Sequence, residues 1–447
     1  MATTGETGFF RPLTENPFLR LATVFIFYIF EGVPMGMFYV ALPAFMASQG
    51  AGTTEIAAVV AAFSLPWSLK LVNGFFMDRY TFLPMGRRRI WIIGSQSLMA
   101  LTFLFAGLID PLPTQTLLLS VIAFVVSMAT TFQDVSIDSL VVDIMNEEEQ
   151  AKAGGIMFGA QTLGIAGATK ATGYLFEHFG AQATFLAAAG FLLLGVVFAI
   201  VLRERPGERR LPWSKGQSHP RNLDIKIDAW WPLLVTSFKA MIAPASLVIV
   251  PFLLLRSVPA AIYDVFNPVL ATQYVGYSTS QYTDIASLSA LVAGIVGLFF
   301  GGWLTAKVGK RQVLAIMFGL TAALLLAAGA LPQFWTEPAT LYALVWGIDM
   351  FSIFIAIAMI PLAMQVCSPA VAATQFTIYM ALGNFGRPIG AAIVAATNAV
   401  GPQLMFYTIG GIMVLGSLST LLLRRGKPSA QVERATAHGA GTGPVEN

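Results

Sequence analysis

The sequence predicts an all-α membrane protein: twelve transmembrane helices in two six-helix bundles related by a pseudo-twofold axis, with both termini cytoplasmic. Three observations lead there. Hydrophobic residues make up 56% of the 447 and charged residues only 11%, with a mean hydropathy of +0.72, whereas soluble domains carry about 25% charged residues. Nearly every polar interruption is followed by another apolar run long enough to cross a bilayer, about 20 residues. The Lys and Arg side chains between those runs fall on one side only.

In chain order, the first six runs cover 19–45, 56–77, 90–108, 117–141, 153–176 and 184–201. Six more cover 245–271, 283–304, 313–330, 339–364, 371–395 and 404–423. Between the two sets, 203–228 is basic and contains prolines, and reads as the linker of the bundles. Residues 229–242 read as an amphipathic segment lying in the interface, anchored by Trp230 and Trp231. The domain plan is an N-terminal bundle over 1–202, a cytoplasmic linker with its interfacial segment over 203–243, a C-terminal bundle over 244–424, and a tail over 425–447 expected to be disordered.

Orientation follows from the cations. Lys70, Lys170, Arg256 and Arg387 lie deep inside runs and Lys239 in the interfacial segment; the rest of the 26 Lys and Arg occupy alternate loops and the tails, with Arg20 at the very start of the first run. The loops near Ser48, Asp110, His178, Tyr274, Trp335 and Asn398 carry none, which turns them away from the cytoplasm. Residues 1–17 are polar, and the first run is too long for a signal-peptide core and has no small-residue cleavage site after it, so it is expected to be retained. The single Cys367 excludes an intramolecular disulfide and gives no sign of an oxidised framework.

A repeat is visible at a shift of 225 residues. Glu31-Gly32-Val33-Pro34, followed by Pro43 and Thr54, matches Arg256-Ser257-Val258-Pro259, followed by Pro268 and Thr279. A second echo sets Gly74, Asp78, Arg79 and the run Gly86 to Arg89 against Gly302, Ala306, Lys307 and Gly309-Lys310-Arg311. Two echoes at corresponding positions point to duplicated halves.

The loop Gly74-x-x-x-Asp78-Arg79…Gly86-Arg87-Arg88 resembles the signature loop of the major facilitator superfamily. Within it, Ser68-Leu69-Lys70, Gln133-Asp134-x-x-x-Asp138, and Thr374-Gln375-Phe376 leading to Gly386-Arg387 resemble the muropeptide-permease (AmpG-like) family and its acetyl-CoA and siderophore transporter relatives. The resemblance implies a proton-coupled importer in a bacterial inner membrane that works by alternating access. Its cargo would be a medium-sized polar or anionic solute, anhydromuropeptide-like first, siderophore or acyl-CoA-like next. Glu31, Lys170 and Thr162 depart from the muropeptide pattern, as does the absence of late extra spans, so the mechanism is implied more firmly than the cargo.

A charge at the bilayer centre costs from ~2.5 kcal/mol upward, which makes each one a functional hypothesis. Nine qualify: Glu31, Lys70, Asp134, Asp138, Lys170, Arg256, Asp264, Asp349 and Arg387. Spans one, four, seven and ten hold six of them, and spans three, six, nine and twelve none, the pattern a central cavity requires. Glu31 and Arg256 are repeat equivalents and are expected to meet across the axis, Glu31 taking a proton when Arg256 moves away. The bland alternative is a permanent ion pair holding the halves together. Glu31, Asp134 and Asp349 are the proton-coupling candidates, and Lys70, Lys170, Arg256, Asp264 and Arg387 the substrate-binding ones. Each of Lys70, Lys170 and Arg387 could equally pair with a nearby carboxylate. Gly74, Asp78, Arg79, Arg87 and Arg88 form the gating loop, with Asp138 expected to tether its basic end.

Pro34, Pro66, Pro259, Pro268 and Pro361 within spans allow kinks, and the glycines of span five allow close helix contact. No zinc spacing, nucleophile elbow or phosphate loop occurs in the sequence. The chain is read as neither an enzyme nor a nucleic-acid binder, needing no cofactor and acting as a monomer on protons and a small solute. A membrane assembly or sensor protein that kept the fold is the rival from another class.

Overall fold

The structure, a computed structural model, describes residues 11–224, Pro232, Val235, Thr236, Lys239, 242–367 and 372–420. Most of the expected interfacial segment, with Trp230 and Trp231, and the tail from 425 lie outside the described residues. The described residues form helices and no strands.

Each apolar run becomes a helix or a pair of helices. The first is α1, Pro17–Ser48, opened by Asn16, whose side chain accepts from Leu19 N at 3.0 Å, with Pro17 at its first position. The second run divides at Lys70 into α2, Thr53–Leu69, and α3, Leu71–Arg79, with a bend of 56° between them. Then come α4, Arg89–Ile109, and α5, Thr116–Ile144. Helix α6 spans Glu147–Val201, starts on an Asn146/Glu149 capping box, and breaks at Gly180. There φ is 77° and ψ −175°, which a side chain would resist. A short α7, Pro220–Asp224, lies within the linker.

The second set begins with α8, Pro244–Leu255, and resumes as α9 over 262–275, after a break that carries Arg256 and Pro259. It continues with α10, Thr279–Val308, α11, Lys310–Ala330, and α12, Pro338–Gln365. The eleventh run divides at Phe385 into α13, Ala372–Asn384, and α14, Gly386–Asn398, and α15 is Pro402–Ser419. Seven of these helices are long and apolar enough to cross a membrane, or eight if the bent pair α2–α3 is one span. The count falls below the expected twelve because breaks at Lys70, 256–261 and Phe385 divide three runs, α6 carries two runs on either side of the Gly180 kink, and α15, with 18 described residues, is not among the seven. Wide, π-type turns at 37–41, 262–266, 270–275 and 297–301 loosen α1, α9 and α10.

Packing is apolar inside and apolar outside, as lipid permits. Phe38 stacks on Phe63 with centroids 5.1 Å apart, and Phe266 meets Phe406 edge-on at 5.1 Å. Leu108, Leu194, Val197, Phe299 and Leu415 face outward, exposed. Helices α1 and α6 cross at Gly32 and Gly164, where a Cβ on Gly32 would lie 2.4 Å from the Gly164 carbonyl carbon. Of the span-five glycines, Gly164 makes this contact, while a Cβ at Gly154, Gly155, Gly159 or Gly167 would meet open space.

Four of the loops free of Lys and Arg, near Ser48, His178, Tyr274 and Trp335, meet on one face. On the basic face the carboxylate of Glu204, in the linker, accepts the backbone N–H groups of Arg87, Arg88 and Arg89. Gly86 is required beside it, because its φ is 100° and a Cβ would lie 2.6 Å from the Glu204 carboxyl. Arg87 and Arg88 pair with Asp78 at 3.1 and 2.8 Å, and Arg88 with Asp143 at 2.8 Å. Asp138 does not tether this loop, contrary to expectation: it lies more than a helical turn deeper than Asp143 and accepts the Tyr28 hydroxyl at 2.5 Å. Glu208 supports Glu204 by accepting the backbone N–H of Glu204 and of Arg205, each at 3.0 Å.

This clamp carries a pH dependence. Burial and the neighbouring Glu204 push Glu208 up to about 7, from an ordinary 4.5, despite the hydrogen bonds it accepts. Between those values the folded protein holds a proton that the unfolded chain has lost. Stability is therefore greatest at the acidic end and declines as pH rises through the window. Replacing Glu208 by Gln is expected to flatten that part of a thermal-unfolding pH profile; an unchanged slope would assign it to other groups.

Candidate functional site

Between the helices of the two sets lies a chamber of about 860 Å³, within the range that holds drug-sized ligands. Its charged lining is Lys70, Asp134, Asp138, Arg256, Asp349 and Arg387, six of the nine intramembrane charges. Aromatic and thioether side chains fill the spaces between, among them Tyr28, Tyr39, Trp67, Tyr263, Met157 and Met380.

The N-terminal wall is held by two polar links. Lys70 Nζ lies 2.8 Å from Asp134 Oδ2 and 5.7 Å from the Trp67 ring centre. The bend at Lys70 turns its ammonium toward α5, and Asn73, one turn on, donates to Thr131 Oγ1 at 2.9 Å. Tyr28 and Asp138 form the second link.

Glu31 sits behind this wall, fully buried, and Gln161 of α6 donates to its Oε1 at 2.6 Å. Its Oε2 has no hydrogen-bond partner among the described residues. The close crossing of α1 and α6 at Gly32 and Gly164 brings these two side chains together.

Arg256 lines the opposite wall at the break between α8 and α9. It makes no ion pair or hydrogen bond with the described residues, and the expected Glu31–Arg256 contact is not formed. The reason is geometric: Glu31 turns toward Gln161 of α6, away from the chamber that Arg256 lines. Arg387 Nε lies 3.2 Å from Asp264 Oδ2, and the guanidinium stands 3.9 Å from the centre of the Tyr39 ring. Asp264 is thus behind the wall, with Arg387 in front of it. Asp349 Oδ2 accepts from Ser289 Oγ at 2.6 Å.

Lys170 does not reach the chamber. It is exposed on the face free of basic loops and pairs with Asp284 at 3.0 Å. There the two sets meet closely: Gln273 donates to the carbonyls of Ala47 and Ala51, Thr279 to Ser48, and Ser280 N to Glu177 at 2.6 Å. The chamber is sealed on this face and reaches toward the basic one through Gly154, Met364 and Phe376. A Cβ on Gly173 would lie 2.0 Å from Thr283 Oγ1. Gly173→Leu is therefore expected to wedge this face open, raising modification of a cysteine placed at Thr283 by an impermeant reagent several-fold; unchanged labelling would show that the contact can slide.

Of the gating-loop residues, Asp78, Arg87 and Arg88 form the ion pairs already given, Arg79 is exposed, and a Cβ on Gly74 would just touch Val135 at 4.0 Å. Sequence reasoning passed over Gln161, Ser289 and Glu204, whereas Tyr39, expected with Tyr28, Trp67 and Tyr263 as a cavity aromatic, does line the chamber. Gln161 stood out only as a polar side chain in a run of small residues, and Glu204 was hidden in a stretch that reads as solvated charge.

A family model described as the Major Facilitator Superfamily matches residues 24–391, with a second match over 253–446. The chain belongs to the major facilitator superfamily. Its family and relatives are transporters, not enzymes. This major facilitator protein is 26% identical over 310 residues to the putative transporter AmpG 4 of Rickettsia conorii, covering 66% of this chain and 70% of that one. It is 23% identical over 385 residues to the anhydromuropeptide permease of Escherichia coli K12, covering 82% and 72%. A folate-biopterin transporter of Synechocystis is 24% identical over 430 residues, covering 92% and 81%. Among solved structures, the fold is similar to that of the nucleoside transporter NupG, with a TM-score of 0.67 at 14% identity, covering 91% of this chain and 100% of that one. A peptide transporter POT aligns with a TM-score of 0.66 at 14% identity, covering 90% and 93%.

Proposed function

We propose that this major facilitator protein is a proton-coupled importer of a medium-sized polar or anionic solute, working by alternating access in a bacterial inner membrane. In this reading the chain crosses the bilayer twelve times as two bundles, 1–202 and 244–424, with both termini cytoplasmic, and acts as a monomer. The observation that carries it is a pair of charges without ion-pair partners among the described residues: Arg256 on the chamber wall, and Glu31 buried just behind it.

An unpaired guanidinium in a low-dielectric cavity is a receptor for a carboxylate or phosphate. A carboxyl that lacks a cation in such a place is best held neutral, and so carries a proton. Glu31 is the coupling site, with Gln161 holding one oxygen and leaving the other for the proton. Asp134 and Asp349, each at the chamber wall, complete the coupling set. Lys70 and Arg387 already have carboxylate partners, so a solute must compete for them, whereas Arg256 is free to be the first anchor. Lys170 acts at the sealed face as half of a latch with Asp284. Asp78, Arg79, Arg87 and Arg88, next to Gly74, gate the basic face.

The AmpG-type relatives support an anhydromuropeptide as the first cargo to test, with a siderophore and an acyl-CoA as the alternatives. The experiment is uptake of each labelled solute into proteoliposomes with an acidic exterior. Gradient-dependent accumulation of one of them is the expected result. Absence of flux for all three, together with tight binding of a partner protein, would favour an assembly or sensor role instead.

A further inference from the structure

We propose that Asp264 is a second proton-binding site, and that its charge is felt by the N-terminal helices through Arg387, whose guanidinium is shared between Asp264 and the face of Tyr39. The proposal rests on the proton-coupled reading above and adds a site and a linkage to it.

Arg387 has a partner in each half of the chain. Its Nε lies 3.2 Å from Asp264 on α9, and its guanidinium covers the Tyr39 ring on α1 at 3.9 Å. One turn earlier Asn384 Nδ2 donates to the Trp67 carbonyl of α2 at 3.1 Å, so the same short segment touches the N-terminal helices twice. On its other side α14 is pressed against α8 and α9. A Cβ on Gly386 would lie 2.1 Å from the Leu254 carbonyl oxygen, and one on Gly390 2.5 Å from that of Val258. Arg387 and Asp264 therefore belong to one tightly packed body, and the contact that can part is the stacking on Tyr39.

Asp264 is suited to change its charge. It is fully buried in the wide-turned stretch Ile262–Phe266, and neither carboxyl oxygen accepts a directed hydrogen bond from the described residues. Glu204, by contrast, accepts three backbone N–H groups and is fixed as an acceptor. The titratable and charged groups around the pair are Tyr263 on α9, Tyr282 on α10, Asp349 on α12, Tyr39 on α1 and Arg256 at the end of α8. Arg387 is the only cation among the described residues within ion-pair distance of Asp264.

A proton arriving on Asp264 neutralises the carboxylate and leaves Arg387 without its counter-charge. The guanidinium of Arg387, a side chain 31% exposed and part of the chamber lining, then turns to a solute anion, and the stack on Tyr39 is lost. Loss of the proton restores the ion pair and the stack. Binding of a proton and an anion are thereby linked, and the conformation sealed on the face free of basic loops is favoured when Asp264 is ionised.

The test needs no solute. Spin labels at Gln49 and Gln281, in a Cys367→Ser background, report the separation of the two sets on the sealed face in the full-length protein. Acidification from neutral to mildly acidic pH is expected to lengthen that distance. Asp264→Asn should give the long distance at both pH values, Tyr39→Leu should raise its population at neutral pH, Tyr39→Phe should behave as the parent, and Glu31→Gln should keep the acid response. The proposal is overturned if the parent shows no response, if Asp264→Asn retains it, or if Tyr39→Leu and Tyr39→Phe behave alike. A response lost in Glu31→Gln but kept in Asp264→Asn would leave the transport reading standing and place the proton at Glu31 alone. Should Asp264→Asn fail to fold, the two Tyr39 variants still decide.

Discussion

Glu31→Gln is expected to cut solute accumulation driven by a pH gradient by the share its proton carries, while leaving solute-for-solute exchange intact. The amide keeps the shape of the side chain and can still accept from Gln161, so the crossing of α1 on α6 survives. What it removes is the exchangeable proton. One pH unit across the membrane is worth about 1.4 kcal/mol per proton, or up to about tenfold accumulation for each proton carried. In Glu31→Gln that ratio should lose the factor its proton supplies, up to about tenfold per pH unit, measured as internal over external label at steady state. Exchange proceeds through the loaded states and has no need of proton release. If both activities persist unchanged, Glu31 is a structural polar contact and the proton travels elsewhere.

The second large effect is expected at Arg256. A hydrogen bond to a charged group is worth about 1.5–3 kcal/mol net, so Arg256→Gln should raise KM for an anionic solute by roughly 10- to 150-fold. Arg256→Lys should recover only part of this, since an ammonium offers a point charge and no planar fork. The protein should remain folded, because Arg256 has no carboxylate that its removal would strand. Lys70→Gln is the contrasting case. It would leave Asp134 buried without its cation, a loss of about 3–5 kcal/mol, read as poor yield and a lowered unfolding temperature rather than as altered KM. A solute whose KM ignores Arg256→Gln does not place its anion there.

The helices were legible because lipid imposes a simple rule: a backbone crossing hydrocarbon must satisfy its own hydrogen bonds, and the side chains facing the lipid must be apolar. Residues 90–108 and 313–330 follow that rule without exception and appear as single helices, α4 and α11. Where the rule is relaxed by the chamber, the runs divide, at Lys70, at Arg256 to Ala261 and at Phe385, and no hydropathy window marks such breaks. The charges themselves were legible for the same reason, since each stands alone in apolar surroundings. Their partners were not. Sequence equivalence set Glu31 against Arg256, but a repeat fixes position along the axis and says nothing of rotation about it; Glu31 faces Gln161 instead. Asp138 and Asp143 lie on one helix near one basic loop, and only depth decides that Asp143 meets Arg88 and Asp138 meets Tyr28. Glu204 was passed over because backbone N–H groups, its true partners, carry no sequence signature.

The most direct measurement is the sidedness of the chamber. With Cys367 replaced by Ser and a cysteine placed at Ser352 on the chamber wall, an impermeant thiol reagent is applied from either face of oriented membranes. Reaction from the basic face in the resting state, and from the opposite face once the exterior is acidic and solute is present, is the predicted result. Reaction from one face alone under every condition would contradict the account, because a site that never changes sides cannot carry a solute across.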